Sequence, residues 1–444
     1  MVSQIITKLY KLKMFLALLR ERISFQPYHW TKSNGFCPAP WIHAHIDAAG
    51  GRRLCCLAYP PPAEYSTLPL SQFWNSDYMK KIRRHMMNNQ LPDECINCKK
   101  PNKSDTYQNG LRLAFQKHTS KIAQTTQANG ETTHPVVFID YRSNKCNLMC
   151  KFCGPESSSR WIESAKKNAE ILKLSRYEGH FDDIEKTYSQ SQYSKEFLEI
   201  VKTNPIEKIY FAGGEPVLAT QHFEVLDQLI ADKKSKDIFL SYNTNLTHSE
   251  TLMTSWLERL KQFKKVDIYC SIDGHEAVTT FIRTGLNYNQ FMKNIEKLKL
   301  FKKNHRQFYF NFDVTMTSIF LLHLKEFSEM ALKKQVPVDA KLMLGYDYKS
   351  LFLRCEFLSK ELREQLINDW IKYYNSLNYN NAKLLVNLRN NLEIVRELPE
   401  LDLNQKKEAL KQVDIHRQIF PTDSPFESFF TKNPTAHSWF KNIQ

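Results

Sequence analysis

The chain has no uninterrupted apolar run long enough to span a bilayer. Ile5, Ile6, Leu9, Met14, Phe15, Leu18 and Leu19 stand near its start, but Lys8, Lys11, Lys13 and Arg20 interrupt every apolar stretch. Residues 1–35 are therefore expected to form a basic amphipathic helix, lying on a membrane surface or docked on the domain behind it, with no transmembrane span. No secretory signal with a small-residue cleavage site is legible, and no repeat of solenoid period. Ten cysteines are present, eight of them clustered within Cys37–Cys98 and Cys146–Cys153. Clustered cysteines without an export signal point to metal ligands in a reducing, cytoplasmic compartment and away from a disulfide framework.

A length of 444 residues fits two or three domains, and 42% apolar residues suffice for a core. The net charge of +15 favours an anionic partner: nucleic acid, nucleotides, an acidic peptide or a membrane surface. From Pro135 onward short β-rich runs alternate with amphipathic stretches. Strands are expected at Val136–Tyr141, Lys208–Ala212, Ile238–Tyr242, Val266–Ser271, Phe308–Thr315 and Val338–Leu344. Such alternation implies an α/β fold with a parallel sheet, here a partial (β/α)6 TIM-like barrel whose chemistry sits at the C-terminal strand ends. The expected organisation is the helix at 1–35, a Cys-rich region and linker at 36–134, the barrel at 135–345 and a helical C-terminal extension at 346–444.

Directly after the first barrel strand the chain reads DYRSNKCNLMCKFC. Cys146, Cys150 and Cys153 can wrap one cubane cluster from a single loop and leave its fourth iron without a protein ligand. A closed zinc site would need a fourth ligand, and none lies nearby. This spacing, with Phe152 before the last cysteine, resembles the radical SAM superfamily, in which S-adenosylmethionine chelates the open iron. Three further motifs carry the resemblance. Gly213-Gly214-Glu215-Pro216 after the second strand is similar to the GGEP motif that contacts the amino group of S-adenosylmethionine. Thr244-Asn245 resembles a TNG motif, with Leu246 in place of the glycine. Ser271 and Asp273 match an SxDG strand ending near the nucleoside, and the resemblance assigns Arg283 to the methionyl carboxylate. Thr315–Ser318 and Lys341–Gly345 would line the substrate side, whereas Cys270 and Cys355 read as buried structural thiols.

Before the barrel stand Cys37, the pair Cys55-Cys56, and Cys95-x2-Cys98, with Gly50-Gly51 and Phe73-Trp74-Asn75-Ser76 between them. Spacing alone allows an iron–sulfur cluster or a zinc site, the latter with His43 and His45 as possible ligands. The order resembles a SPASM/twitch auxiliary-cluster domain placed N-terminal to the barrel, with Cys37, Cys55, Cys95 and Cys98 as ligands of a second [4Fe–4S] cluster. Neighbours on a strand face opposite ways, so one of Cys55 and Cys56 is redundant, and Cys55 sits at the family's spacing from Gly50. Lys80, Lys81, Arg83, Arg84, His85, Lys99, Lys100 and Lys103 are read as a solvated helix face or a docking face for an anionic partner.

The resemblance implies a radical S-adenosylmethionine enzyme that forms a 5′-deoxyadenosyl radical and abstracts a hydrogen atom from a substrate. A peptide or protein side chain leads as substrate, with a small molecule such as a nucleotide-linked sugar as the alternative. It also implies a one-electron donor such as flavodoxin or ferredoxin. A non-catalytic iron–sulfur or zinc protein that binds nucleic acid is the reading from another class.

Overall fold

The computed structural model describes residues 29–95, 98, 111–168, 193–343 and 348–443. The N-terminal helix expected over 1–35 lies almost wholly outside them, as do Lys99, Lys100, Lys103, Leu344 and Gly345. Among the described residues ten strands are formed: β1 His43–Ile46, β2 Arg52–Arg53, β3 Phe138–Ser143, β4 Met149–Cys150, β5 Lys208–Gly213, β6 Phe239–Thr244, β7 Lys265–Ser271, β8 Arg283–Thr284, β9 Phe308–Met316 and β10 Val338–Leu342. The fold is α/β with a mostly parallel sheet. β3, β5, β6, β7, β9 and β10 are the six strands expected of the partial barrel, displaced by at most two residues at their ends. Among the described residues no helix is long and apolar enough to cross a membrane.

The chain forms two compact units. The first comprises residues 1–143, 189–212 and 224–241, and its strand order is β2-β1-β3-β5-β6. Here β1 runs parallel to β3, with His43 opposite Phe138 and His45 opposite Asp140. The short strand-like runs of the N-terminal region thus join the sheet of β3. On one face of β3, Tyr141 stacks on Phe197 of the helix Tyr193–Thr203 at 4.6 Å. Asp47 accepts from the backbone N–H of Ala49 and Gly51 to close the turn between β1 and β2, where Gly50 takes φ +80°.

Trp74, Asn75 and Ser76 hold the entry to the helix Asp77–Met87. Ser76 is its N-cap and accepts from Met79 N–H at 3.4 Å. Asn75 donates to the Thr132 carbonyl, and Trp74 donates to that of His134. Arg83 does not belong to the basic face read from the sequence. It is fully buried, and its guanidinium donates twice to the Pro40 carbonyl, at 2.9 and 2.8 Å. Lys80 of the same helix pairs with Glu131, and Arg84 donates to the Asn129 carbonyl.

The second unit comprises residues 144–188, 213–223 and 242–444, and its strand order is β7-β9-β10. β9 lies parallel to β7, and β10 to β9. Period-two alternation divides β9 cleanly. Phe312 packs against Phe291 and Phe327 of the covering helices Tyr288–Asn304 and Leu324–Lys334, in line with the buried Phe308, Phe310, Val314 and Met316. The opposite face carries Tyr309, Asn311, Asp313 and Thr315. Burying the apolar face of β9 against two helices contributes about 1.5–3 kcal/mol per large side chain.

Candidate cluster and S-adenosylmethionine site

Three short segments of the second unit converge on the cysteine loop. β4 pairs antiparallel with β8, which places Cys150 opposite Arg283. Cys146, Phe152, Cys153 and Tyr288 pack around Leu148, Cys150 and Leu286. The loop backbone is anchored by side chains: Ser158 Oγ donates to the Leu148 carbonyl at 2.6 Å, Trp161 Nε1 to that of Cys150 at 3.0 Å, and Cys146 N–H to Ser159 Oγ at 3.2 Å.

The thiols are close enough to perturb one another. Burial pushes Cys146 up to about 12, and the neighbouring Cys150 adds to the rise. The hydrogen bond from Cys153 holds Cys150 below the ordinary thiol range, with Arg283 assisting, and the same bond raises Cys153. Three thiols so coupled, Cys150 buried and Cys146 and Cys153 half-buried, would be costly as thiolates unless a cation met them. The donor set of three sulfurs on one loop, with an arginine beside them, fits an iron–sulfur cluster with one open iron.

The end of β5 approaches this loop closely. Glu215 N–H donates to the Lys145 carbonyl at 2.6 Å. A Cβ on Gly214 would come within 2.3 Å of that same carbonyl oxygen, so only glycine fits. Gly213 takes φ +77°, which glycine adopts without strain. The Glu215 carboxylate is buried and turned inward. It accepts from Thr244 Oγ1 at 2.9 Å and Asn245 N–H at 2.6 Å, with His248 Nε2 at 3.4 Å. Glu215 therefore ties the end of β5 to the end of β6, while Pro216 begins the 3-10 turn Pro216–Leu218. Asn245 Nδ2 donates to Asn147 Oδ1 of the cysteine loop at 2.8 Å. Leu246 takes φ +52°, so it holds the left-handed conformation that the glycine of a TNG motif would supply freely.

At the end of β7, Ser271 is 8% exposed and Asp273 is fully buried. Asp273 accepts from Thr315 N–H at 2.8 Å and meets Arg283 at 2.7 Å. Burial raises Asp273, against the lowering pull of Arg283. Arg283, expected at a methionyl carboxylate, thus has a carboxylate partner within the chain. Its guanidinium also lies 5.4 Å from the Phe152 ring centroid and 4.0 Å from Cys150 Sγ.

Two polar groups, Asp313 and Asn243, have no counterpart in the motifs of the sequence. Asp313 accepts from Asn243 Nδ2 at 2.5 Å and lies 2.6 Å from Lys341 Nζ, which also stands over the Tyr269 ring. Lys341 closes the sixth strand, where the substrate side was expected. Its partners are separated in the chain and give no local signal. Cys270 is buried within β7, and Cys355 Sγ lies 3.5 Å from the Met316 carbonyl, as fits structural thiols.

In the first unit Cys37 lies near enough to Cys98 and Cys55, and Cys55 to Cys95, for their thiols to perturb one another. Burial pushes Cys37 up to about 12 and Cys98 adds to it, while Cys55 is raised by burial and by Cys56, Cys37 and Cys95. Cys56 also lies near enough to Arg142 to raise it. His43 and His45 meet Asp140, their donor atoms lying within 4.8 Å of one another. His45 Nδ1 is 2.9 Å from Asp140 Oδ2, and Arg142 is 3.2 Å from the same oxygen.

Residues 141–316 match the radical SAM superfamily, and residues 37–99 match the SPASM iron–sulfur cluster-binding domain. The SPASM segment therefore precedes the radical SAM segment. These domains imply a [4Fe–4S] cluster, S-adenosylmethionine and auxiliary iron–sulfur ligation. No curated protein sequence matches the chain. Among solved structures it is similar to native anSMEcpe with bound AdoMet, at 19% identity over 54% of this chain and 60% of that one, with a TM-score of 0.34. It is also similar to Streptococcus suis SuiB bound to precursor peptide SuiA, at 16% identity over 69% and 58%, TM-score 0.30. A TYW1 structure with a lysine-pyruvate adduct bound is 13% identical over 54% and 71%, TM-score 0.28. The chain spans less than two thirds of the length of the anSMEcpe and SuiB chains.

Proposed function

We propose that this chain, a radical SAM superfamily member with a SPASM domain, reductively cleaves S-adenosylmethionine and abstracts a hydrogen atom from a peptide or protein side chain. The observation that carries the cleavage reading is the convergence of Cys146, Cys150 and Cys153 with the glycine end of β5, where Glu215 N–H meets the Lys145 carbonyl. When bound, the cluster and S-adenosylmethionine supply one-electron chemistry that yields a 5′-deoxyadenosyl radical.

The chain's own residues bind, orient and exclude water. Cys146, Cys150 and Cys153 hold the cluster. Gly213 and Gly214 let backbone approach the amino end of S-adenosylmethionine, and Glu215 with Pro216 shapes that backbone. Thr244 and Asn245 would supply polar groups toward the ribose or methionine part, Ser271 would do so toward the nucleoside, and Phe152 would shield the cluster. Asp273 holds Arg283 beside Cys150 in readiness for the carboxylate. Cys37, Cys55, Cys95 and Cys98 would hold a second cluster, which would supply further one-electron chemistry. The peptide assignment rests on the SPASM segment, a domain whose resemblance favours peptide and protein substrates.

The test is anaerobic incubation of cluster-loaded protein with S-adenosylmethionine and dithionite, followed by quantitation of 5′-deoxyadenosine. Product above background supports the reading. Its absence from protein shown to carry iron and sulfide sinks it. Short precursor peptides encoded beside the gene are the substrates to try first.

A further inference from the structure

The C-terminal extension lies outside both matched segments, yet it closes on the cysteine loop. All the residues concerned belong to the second compact unit. Lys151 stands between Cys150 and Phe152, and its side chain is 1% exposed. Its ammonium group pairs with Asp423 of the extension and donates to Thr284 Oγ1 at 2.9 Å. That hydroxyl donates in turn to Asp423 Oδ2 at 3.1 Å. The rings of Phe281 and Phe420 flank the ammonium, each centroid 4.3 Å away.

The loop backbone is held from the same side. Ser350 Oγ donates to the Lys151 carbonyl at 2.5 Å. Trp161, which takes the Cys150 carbonyl, packs edge-on against His416 and Phe420. Two consecutive carbonyls and one cation of the cysteine loop are thus satisfied by a small set of neighbours, and Ser350, His416, Phe420 and Asp423 all come from the extension.

A lysine buried this deeply needs a counter-charge, because an unpaired ammonium in a dry site is strongly disfavoured. Asp423 supplies it. The pair also stands beside Cys150, where a nearby fixed charge alters the free energy of adding an electron to a cluster. We infer that Asp423 and Lys151 are a positioning pair by which the C-terminal extension fixes the cysteine loop and sets the reduction potential of the cluster that the loop holds. The inference rests on Cys146, Cys150 and Cys153 being the ligands.

The experiment compares the full-length, cluster-loaded chain with Asp423→Asn, Lys151→Met and the double variant. Iron and sulfide are counted. The reduction potential is followed on the electron paramagnetic resonance signal that responds to added S-adenosylmethionine, which selects the cluster on this loop. Removing the carboxylate should move the potential positive, and removing the ammonium should move it negative. The double variant should fall between the singles. Singles that match the wild type, or that move in one common direction, overturn the inference. If Asp423→Asn loads no iron, the double variant decides: recovered loading supports the pairing, and unrecovered loading overturns it. A wild-type chain with clusters but no signal responding to S-adenosylmethionine overturns the ligand assignment and the inference together. An unmoved potential in a chain with that signal overturns the inference alone.

Discussion

Arg283 Nε lies 2.7 Å from Asp273 Oδ2, and both side chains are buried. Ten positions apart in the sequence, they are joined because β8 returns Arg283 to the cysteine loop while the β7 end leaves Asp273 facing it. Removing one member of a buried pair strands the other charge. Asp273→Ala is expected to cost about 3–5 kcal/mol of stability, whereas replacing both with apolar residues should cost much less. Denaturant unfolding of the single and double variants checks this. A single variant as stable as the parent would show that the pair is not buried in solution.

The auxiliary cysteines give a sharper test than the three of the radical SAM loop. Cys55 lies near Cys37 and Cys95 as well as Cys56, whereas Cys56 also lies near Arg142. With two four-iron clusters the chain should hold about eight irons. Cys55→Ala should lower this to about four, and Cys56→Ala should leave it unchanged. Cys146→Ala, Cys150→Ala or Cys153→Ala should also lower it to about four and abolish 5′-deoxyadenosine formation. Equal iron counts for Cys55→Ala and Cys56→Ala would refute the choice between them.

Leu246 sits at a glycine-like position, φ +52°, with its side chain fully buried. Leu246→Gly would relieve about 1–2 kcal/mol of left-handed strain. It would also remove a buried leucine, a loss of about 2–5 kcal/mol when a large side chain is truncated in a core. The second effect is the larger, so the variant should be less stable by about 1–3 kcal/mol. A rise in unfolding midpoint would mean that strain dominates.

Acid should weaken the fold before carboxylates titrate. Burial lowers His43 and His222 from 6.5 to about 3. Both are neutral in the native state, while the unfolded chain takes up protons below about pH 6.5, so stability falls as the pH drops from there toward about 3. The slope is at most about 1.4 kcal/mol per pH unit per histidine. Asp140 adds to the loss at lower pH: burial works against its low value, but Arg142 and His45 overcome it. Unfolding midpoints at pH 7.5 and 5.5 measure the effect, and His222→Phe should flatten the slope. An identical slope in that variant would exclude His222 as a contributor.

Local pattern carried much of the architecture. The β-rich run Phe308–Thr315 placed β9 to within one residue, because its apolar face must be buried whatever covers it. The cysteine loop was equally legible, since its three thiols are neighbours in the chain. Glycine at 214 was legible as a motif, and the structure supplies its reason in the Lys145 carbonyl. Arg283 shows where the reading stops. A basic residue after the fourth strand advertises its charge but not its partner. Arg83 likewise reads as surface and is buried, because the Pro40 carbonyl satisfies it.

The sequence by itself determined the strand–helix succession, the cysteine loop and the glycine-bearing strand end, all of which depend on residues close together in the chain. Only the tertiary structure decided how the charges of the site are matched. Lys151 and Asp423 are 272 positions apart, and Asp313 gathers Asn243 and Lys341 from different strands. No local rule predicts such pairs, because burial compels a charge to find a partner but leaves the choice of partner to the packing of the whole unit.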